Sequence, residues 1–316
     1  MLKFIIFMLT GAFFAYLEAF FISPKEKRYP KELLEGEEYR DAEKKMCALI
    51  KEMKGICGER VSIRGYDGKK LSGTYYHVQD GAPVQIQIHG YKGTAIRDFC
   101  GGNKIAREAG HNTLVIEQRA HGESEGNTIT FGIKERYDCV SWARYVRKRF
   151  GKETPIFLAG VSMGASTVLM ASGLKLPDNV VGIIADCPYS SPEQIIRKVC
   201  GDRRLPHKII FPFIWLGGKI FGRFDVKETD VLQAVRKKKV PILIIHGEED
   251  RFVPCEMSKE IYAAAREPKR LELFPNAGHG LSYIIDTDRY EKIVHEFTEE
   301  CLKNPSPYNT PQPQVY

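Results

Sequence analysis

No two of the eight cysteines stand at C-x-x-C spacing; they are scattered at positions 47, 57, 100, 139, 187, 200, 255 and 301. That absence removes the usual zinc and dithiol motifs, and eight cysteines in a chain of 316 residues do not define a disulfide framework. Reduced thiols are expected. No internal period recurs along the chain, which excludes a repeat array. No His/Cys/Asp cluster has ligand spacing, so neither a metal nor an organic cofactor is expected. The net charge is +7, from 47 basic and 40 acidic residues, but the basic clusters, such as Arg147-Lys148-Arg149 and Lys237-Lys238-Lys239, do not interleave with aromatics. A nucleic-acid groove is therefore not expected.

What is present is 43% apolar residues, enough for one large α/β domain. Residues Leu2 to Ile22 are nearly all apolar, broken only by Lys3, Thr10, Gly11 and Glu18. A bilayer crossing takes about 20 such residues, so residues 1–23 read as an N-terminal transmembrane anchor. Lys25, Lys27, Arg28 and Lys31 follow the run while Lys3 alone precedes it, which places the following domain on the cytoplasmic side. Residues 24–58 read as a charged connector with one amphipathic helix, Glu37–Met53. From 59 to 303, short β-branched runs alternate with helical stretches. Eight strands are expected, at Val61–Ile63, Leu71–Tyr76, Val84–His89, Thr113–Glu117, Pro155–Ala159, Val180–Asp186, Pro241–His246 and Arg270–Phe274. Helices are expected at Cys100–Ala109, Ile133–Phe150, Ser162–Ser172, Pro254–Ala265 and Asp288–Leu302. An opening hairpin followed by strand–helix units implies a mostly parallel sheet with helices on both faces. The alternation breaks over 187–230, where Ile209–Leu216 is strongly apolar; this stretch reads as a helical lid whose Phe213 and Trp215 line a substrate pocket. Residues 304–316 are polar and proline-rich and read as a disordered tail.

Chemistry concentrates at strand ends. Gly160-Val161-Ser162-Met163-Gly164 matches G-x-S-x-G, with an apolar strand before it and a small-residue helix after it. A sharp turn there lifts the Ser162 hydroxyl above the sheet, at a helix N-terminus that favours developing negative charge. Downstream, the strand Pro241–His246 opens into a loop with three acids; Asp250, just before Val253-Pro254, is the expected triad acid, with Glu248 and Glu249 as competitors, and His246, before Gly247 at the strand end, is expected to shape that loop. His279, between Gly278 and Gly280 on a loop, is the expected general base. Serine needs such a base to become a nucleophile, and the acid fixes the base's tautomer. After the strand Val84–His89, the Tyr91 N–H and, beside the nucleophile, the Met163 N–H are the expected oxyanion-hole donors, with the Tyr91 hydroxyl as a third donor or a plain pocket wall.

Taken in order, His89-Gly90, Gln118–Ser124, Gly160–Gly164, His246–Pro254 and Gly278-His279-Gly280 resemble the α/β-hydrolase superfamily. Within it the chain is similar to the bacterial esterase/lipase-like group near the serine aminopeptidase and prolyl-oligopeptidase branch. The likeness runs over about residues 60 to 302. It implies the α/β-hydrolase fold and hydrolysis of a small carboxylic ester through an acyl-enzyme. Peptidase or thioesterase activity with the same triad, or a non-catalytic binding protein on this fold, are the competing readings.

Overall fold

The computed structural model describes residues 1–304 except 29, 32, 34, 35, 37 and 38. The expected tail beyond residue 304 and the start of the expected connector helix lie outside the described residues.

Three helices come first: α1 (Leu2–Ala19), α2 (Pro24–Arg28) and α3 (Glu43–Lys54). The sheet strands follow as β1 (Glu59–Arg64), β2 (Lys70–Tyr76), β3 (Val84–Ile88), then α4 (Ala95–Glu108), β4 (Asn112–Glu117), α5 (Glu135–Phe150), β5 (Ile156–Val161), α6 (Met163–Ala171) and β6 (Val180–Asp186). Then come α7 (Pro192–Asp202), α8 (His207–Gly217), a π-helical turn (Gly218–Gly222), α9 (Val231–Val235), β7 (Ile242–Gly247), α10 (Cys255–Ala264), β8 (Lys269–Phe274), α11 (Ser282–Ile285) and α12 (Thr287–Lys303).

All eight expected strands join one sheet in the order β1-β2-β4-β3-β5-β6-β7-β8. The β1–β2 and β2–β4 pairs are antiparallel, and β4 through β8 run parallel. This is the α/β-hydrolase fold. The central strands are buried on both sides, because helices cover both faces. One apolar core joins the sheet to α5, α6, α9 and α10; the other joins it to α3, α4 and α12. Helix α4 starts five residues earlier than the apolar pattern suggested. Thr94 caps it, its hydroxyl accepting from the Arg97 N–H at 3.0 Å.

The segment 187–230 is helical, as expected, but its apolar run turns toward α1. The Phe213 ring packs edge-on against Phe7, and a Cβ on Gly11 would stand 2.7 Å from that ring. Trp215 donates its ring N–H to Asp225 at 2.9 Å. Phe211, Ile214 and Phe224 bury themselves with Tyr16 and Phe20. The last turn of α1 is tied into the domain: Tyr16 and Thr128 share a hydroxyl hydrogen bond of 2.8 Å, and the Ile129 and Ile22 N–H groups bond to Phe20 and Asn127 carbonyls. Along the rest of α1, Leu2, Phe4, Ile5, Ile6, Phe7, Leu9, Phe13 and Phe14 stay exposed.

Small residues let the helices approach. A Cβ on Gly217 would lie 2.3 Å from the Ala12 carbonyl oxygen. Gly217→Ala is therefore expected to push α1 away from α8 and cost about 1–3 kcal/mol. Gly201→Ala in α7, where a Cβ meets nothing within 4 Å, should instead stabilise slightly. Urea unfolding of the detergent-solubilised full chain checks both; equal effects would contradict the close crossing.

Candidate active site

The site forms at the carboxyl ends of the parallel strands, where α/β sheets place their ligands. Ser162 stands between β5 and α6 with φ 55° and ψ −117°. A side-chain-bearing residue at positive φ is strained, and the glycines around it permit the turn. A Cβ on Gly160 would sit 2.3 Å from the Gly164 backbone, and one on Gly164 would sit 1.8 Å from the Ile88 carbonyl oxygen. Any other residue at these two positions would force the elbow open.

His279, after β8, brings its Nε2 to 3.0 Å from the Ser162 Oγ. Its Nδ1 lies 2.6 Å from Asp250 Oδ2. A carboxylate only accepts, so Nδ1 carries the hydrogen and Nε2 is left as the acceptor facing the serine hydroxyl. Asp250, after β7, is buried. Its other oxygen accepts the Phe252 and Val253 N–H groups at 2.9 and 2.8 Å. The competing acids Glu248 and Glu249 are exposed. His246 stands behind Asp250, its Nε2 3.2 Å from Oδ2. That same nitrogen is 2.9 Å from the Val253 carbonyl, and Nδ1 is 2.6 Å from the Ser258 hydroxyl. His246 thus braces the acid loop from within the core. Burial alone would raise the Asp250 carboxyl, but hydrogen bonds from His246 and His279 hold it well below the usual carboxylate range.

Gly90 places the loop after β3 against the elbow: a Cβ there would stand 3.3 Å from the Ser162 Cβ. The Gly90 N–H donates to Asp98 Oδ2 at 2.8 Å, and Arg97 Nε donates to the same carboxylate, which fixes the loop. Among the described residues, the Tyr91 and Met163 N–H groups have no protein acceptor. The Tyr91 hydroxyl is not free for the site; it donates to the Ala19 carbonyl at the end of α1, 3.1 Å away. The aromatic ring takes the pocket-wall role.

A cavity of about 320 Å³ opens at Ser162 and His279. Phe213 and Trp215 do not line it, because the lid's apolar face is spent on α1. The walls come instead from α3 (Met46, Leu49), α4 (Phe99 to Gly102), α11 (Tyr283, Ile284) and Tyr290 of α12. Tyr39 also lines it and donates its hydroxyl to the His279 carbonyl at 3.2 Å. The stretch read as a connector therefore roofs the site. Its signal was visible as the amphipathic pattern of α3, but nothing local says what that face covers. A larger hollow of about 460 Å³, beside Tyr75 and Arg149, sits at the opposite end of the strands.

Cys187, Asp250 and His279 each bring one ligand-type atom within 4.8 Å of the others. The set does not fit a metal: two of those atoms are 2.6 Å apart in a hydrogen bond, while tetrahedral zinc ligands stand roughly 3.3 Å or more from one another. Burial also raises the Cys187 thiol well above its ordinary value, so it stays protonated.

Asp186 closes the cavity floor, a carboxyl the sequence showed only as the end of a strand. Burial raises its pKa to about 6, although the Tyr290 hydroxyl donates to it at 2.9 Å and so opposes the rise. In an unfolded chain it would titrate near 3.8. The folded protein therefore binds the extra proton between those values, and stability falls as pH rises from about 4 to 6. Asp186→Asn, uncharged throughout, is expected to gain on the wild type across that window, by up to about 3 kcal/mol. Urea unfolding at pH 4 and pH 7.5 checks this; a difference independent of pH would contradict it.

Comparisons with known proteins follow the same lines. The serine aminopeptidase (S33) hydrolase family matches residues 227–284, a stretch holding Asp250 and His279 but not Ser162. The YqkD protein of Bacillus subtilis is 30% identical over 193 residues, 61% of this chain and 63% of that one. Human protein ABHD12B is 27% identical over 240 residues, 69% and 60% of the two chains. The lysophosphatidylserine lipase ABHD12 of Danio rerio is 23% identical over 222 residues, 65% and 52%. The chain thus spans less than two thirds of the length of these relatives. An esterase of Pyrococcus furiosus superposes with a TM-score of 0.65 at 21% identity, over 87% of this chain and 98% of that one.

Proposed function

The chain belongs to the α/β-hydrolase superfamily, and from that premise we propose that it is a serine hydrolase cleaving small carboxylic esters through an acyl-enzyme. The observation that carries this reading is the continuous hydrogen-bonded chain Ser162–His279–Asp250 at the mouth of the cavity. His279 takes the Ser162 proton as Oγ attacks the ester carbonyl, and Asp250 stabilises the imidazolium that results. The Tyr91 and Met163 N–H groups receive the oxyanion. The tetrahedral intermediate collapses, His279 returns the proton to the departing alcohol, and water repeats the cycle on the acyl-serine. No metal or organic cofactor enters these steps.

Labelling with a fluorophosphonate probe, together with an ester panel, tests the reading: covalent modification at Ser162 and ester turnover are expected, and no reaction with either would leave a binding protein on this fold. Amide cleavage has one observation in its favour, the aminopeptidase family match over 227–284. Aminoacyl arylamides hydrolysed faster than esters would move the assignment there.

Helix α1 as a whole is long and apolar enough to cross a bilayer, and in this reading it serves as the membrane anchor, with the hydrolase domain on the cytoplasmic side. Because the last turn of α1 is docked in the domain, the anchor joins the catalytic body directly and not through a leash. The cavity walls give a further expectation. Leu49→Trp should fill the roof and shift preference toward shorter acyl chains, whereas Phe213→Ala and Trp215→Ala should leave the chain-length profile unchanged. Kinetics on C2 to C10 esters check this, and the opposite pattern would return the pocket to the lid.

A further inference from the structure

The cavity beneath Ser162 is walled largely by apolar and aromatic groups, but its floor holds a carboxyl that the proposed triad does not use. Asp186 is the last residue of β6 and pairs in parallel register with Val161 of β5, the residue just before the nucleophile. Registered neighbours on parallel strands point to the same face and stand about 5 Å apart. Both side chains line the cavity, and so does Tyr290. The Tyr290 hydroxyl satisfies Asp186 Oδ2 at 2.9 Å. Asp186 Oδ1 is buried and has no hydrogen-bond partner among the described residues.

The orphan oxygen has a physical consequence. With its pKa raised to about 6 by burial, Asp186 is ionised at pH 7.5, and a buried charged acceptor without a donor is costly. His279 already has its acid in Asp250 and does not need a second. The walls Met46, Leu49, Phe99 and Ile284 offer no hydrogen to donate, and the donors that also line the cavity are spent elsewhere: Arg97 on Asp98, Tyr39 on the His279 carbonyl, Tyr283 on Glu291 and the Cys100 thiol on the Arg97 carbonyl. A group that enters the cavity and brings its own N–H or O–H would relieve that cost; a plain alkyl chain would not.

We infer that Asp186 is a specificity-determining residue that accepts a hydrogen bond from a hydroxyl or ammonium on carbon 2 or 3 of the acyl group, so that the preferred substrates are hydroxyacyl or aminoacyl esters. The inference rests on the esterase reading above. The register sets the position: Asp186 stands on the strand beside the residue that precedes Ser162 and lines the same cavity, which favours the first carbons beyond the carbonyl over the end of a long chain.

The test uses the full chain with aryl butyrate, aryl 3-hydroxybutyrate and aryl 2-aminobutyrate at pH 7.5, and fluorophosphonate labelling of each variant to report a folded, reactive Ser162. In the wild type, at least one substituted ester should exceed butyrate in kcat/KM by about 10- to 100-fold, mainly through KM. An ammonium ligand loses this advantage in both Asp186→Asn and Asp186→Leu, and loses it in the wild type as the pH is lowered from 7.5 to 5. A hydroxyl ligand loses it in Asp186→Leu and keeps part of it in Asp186→Asn, whose amide oxygen still accepts. Wild-type protein that labels and hydrolyses butyrate but shows no advantage for either substituted ester overturns this inference alone. An advantage undiminished in Asp186→Leu does the same. Neither labelling nor hydrolysis in the wild type overturns the esterase reading and the inference with it.

Discussion

Ser162→Ala should lower kcat/KM for aryl esters by at least about 10⁴-fold and abolish fluorophosphonate labelling, with the unfolding midpoint nearly unchanged. The loss is large because, among the described residues lining the cavity, no other hydroxyl or thiol is hydrogen-bonded to an imidazole; water activated by His279 would have to replace a positioned hydroxyl. The fold should survive for a local reason. Ser162 holds φ 55°, and alanine carries the same Cβ into the same strained turn, so backbone strain is unchanged. Among the described residues the hydroxyl makes one side-chain hydrogen bond, to His279, and that partner borders the cavity, where water can take its place. Activity above one per cent of wild type, measured on protein free of contaminating esterase, would rule Ser162 out as the nucleophile.

The second large effect belongs to the acid. Asp250→Asn should cost about 10⁴-fold in kcat, while Glu249→Gln should change it by less than about threefold, since Glu249 is exposed and surface changes of this kind are usually small. The reason lies in the tautomer. The carboxylate obliges His279 to carry its hydrogen on Nδ1. An asparagine that turns its amide NH₂ toward His279 would reverse this, putting the hydrogen on Nε2 and removing the acceptor that Ser162 needs. The opposite rotamer would turn that NH₂ on the Phe252 and Val253 N–H groups, which now bond to Oδ1. The same carboxyl also ties stability to pH. Its folded pKa is depressed, so its contribution is fully present above the ordinary carboxylate range and is lost as the pH falls through the folded value. The wild type should therefore be more stable than Asp250→Asn at pH 7, with the gap closing only in strong acid. A larger loss of activity in Glu249→Gln than in Asp250→Asn would transfer the role of acid to Glu249.

Helix α3 and the 187–230 segment show how far local pattern reaches. In both, the apolar spacing announces a helix with a face to bury. In neither does the spacing name the surface that receives it. The run Ile209–Leu216 could have covered the nucleophile or packed elsewhere. Phe213 meets Phe7 and Gly11 across some two hundred residues of chain, and that partner exists only once α1 folds back on the domain. Leu49 and Met46 reach the cavity in the same way, from a stretch with no motif of its own. His246 was legible as a residue shaping the acid loop, since it sits beside Gly247 at a strand end. Asp186 was not, because a carboxyl closing an apolar strand reads as the start of a loop until its burial and its Tyr290 partner are known.

The sequence alone determined the elements whose cause is local or periodic. Alternating β-branched runs and amphipathic stretches set eight strands and their covering helices, and the order of G-x-S-x-G, acid loop and Gly-His-Gly set which strand ends could meet. These are short-range constraints: a tight elbow needs glycines at Gly160 and Gly164 wherever it occurs. Tertiary structure alone decided what surrounds the nucleophile. The parallel register that sets Asp186 beside Val161, the docking of α1 that drew Phe213 and Trp215 away from the cavity, and the placing of α3 over Ser162 all depend on contacts between residues remote in the chain. Burial energy is non-directional, so an apolar face commits a segment to being covered, and only the packing of the whole molecule chooses the cover.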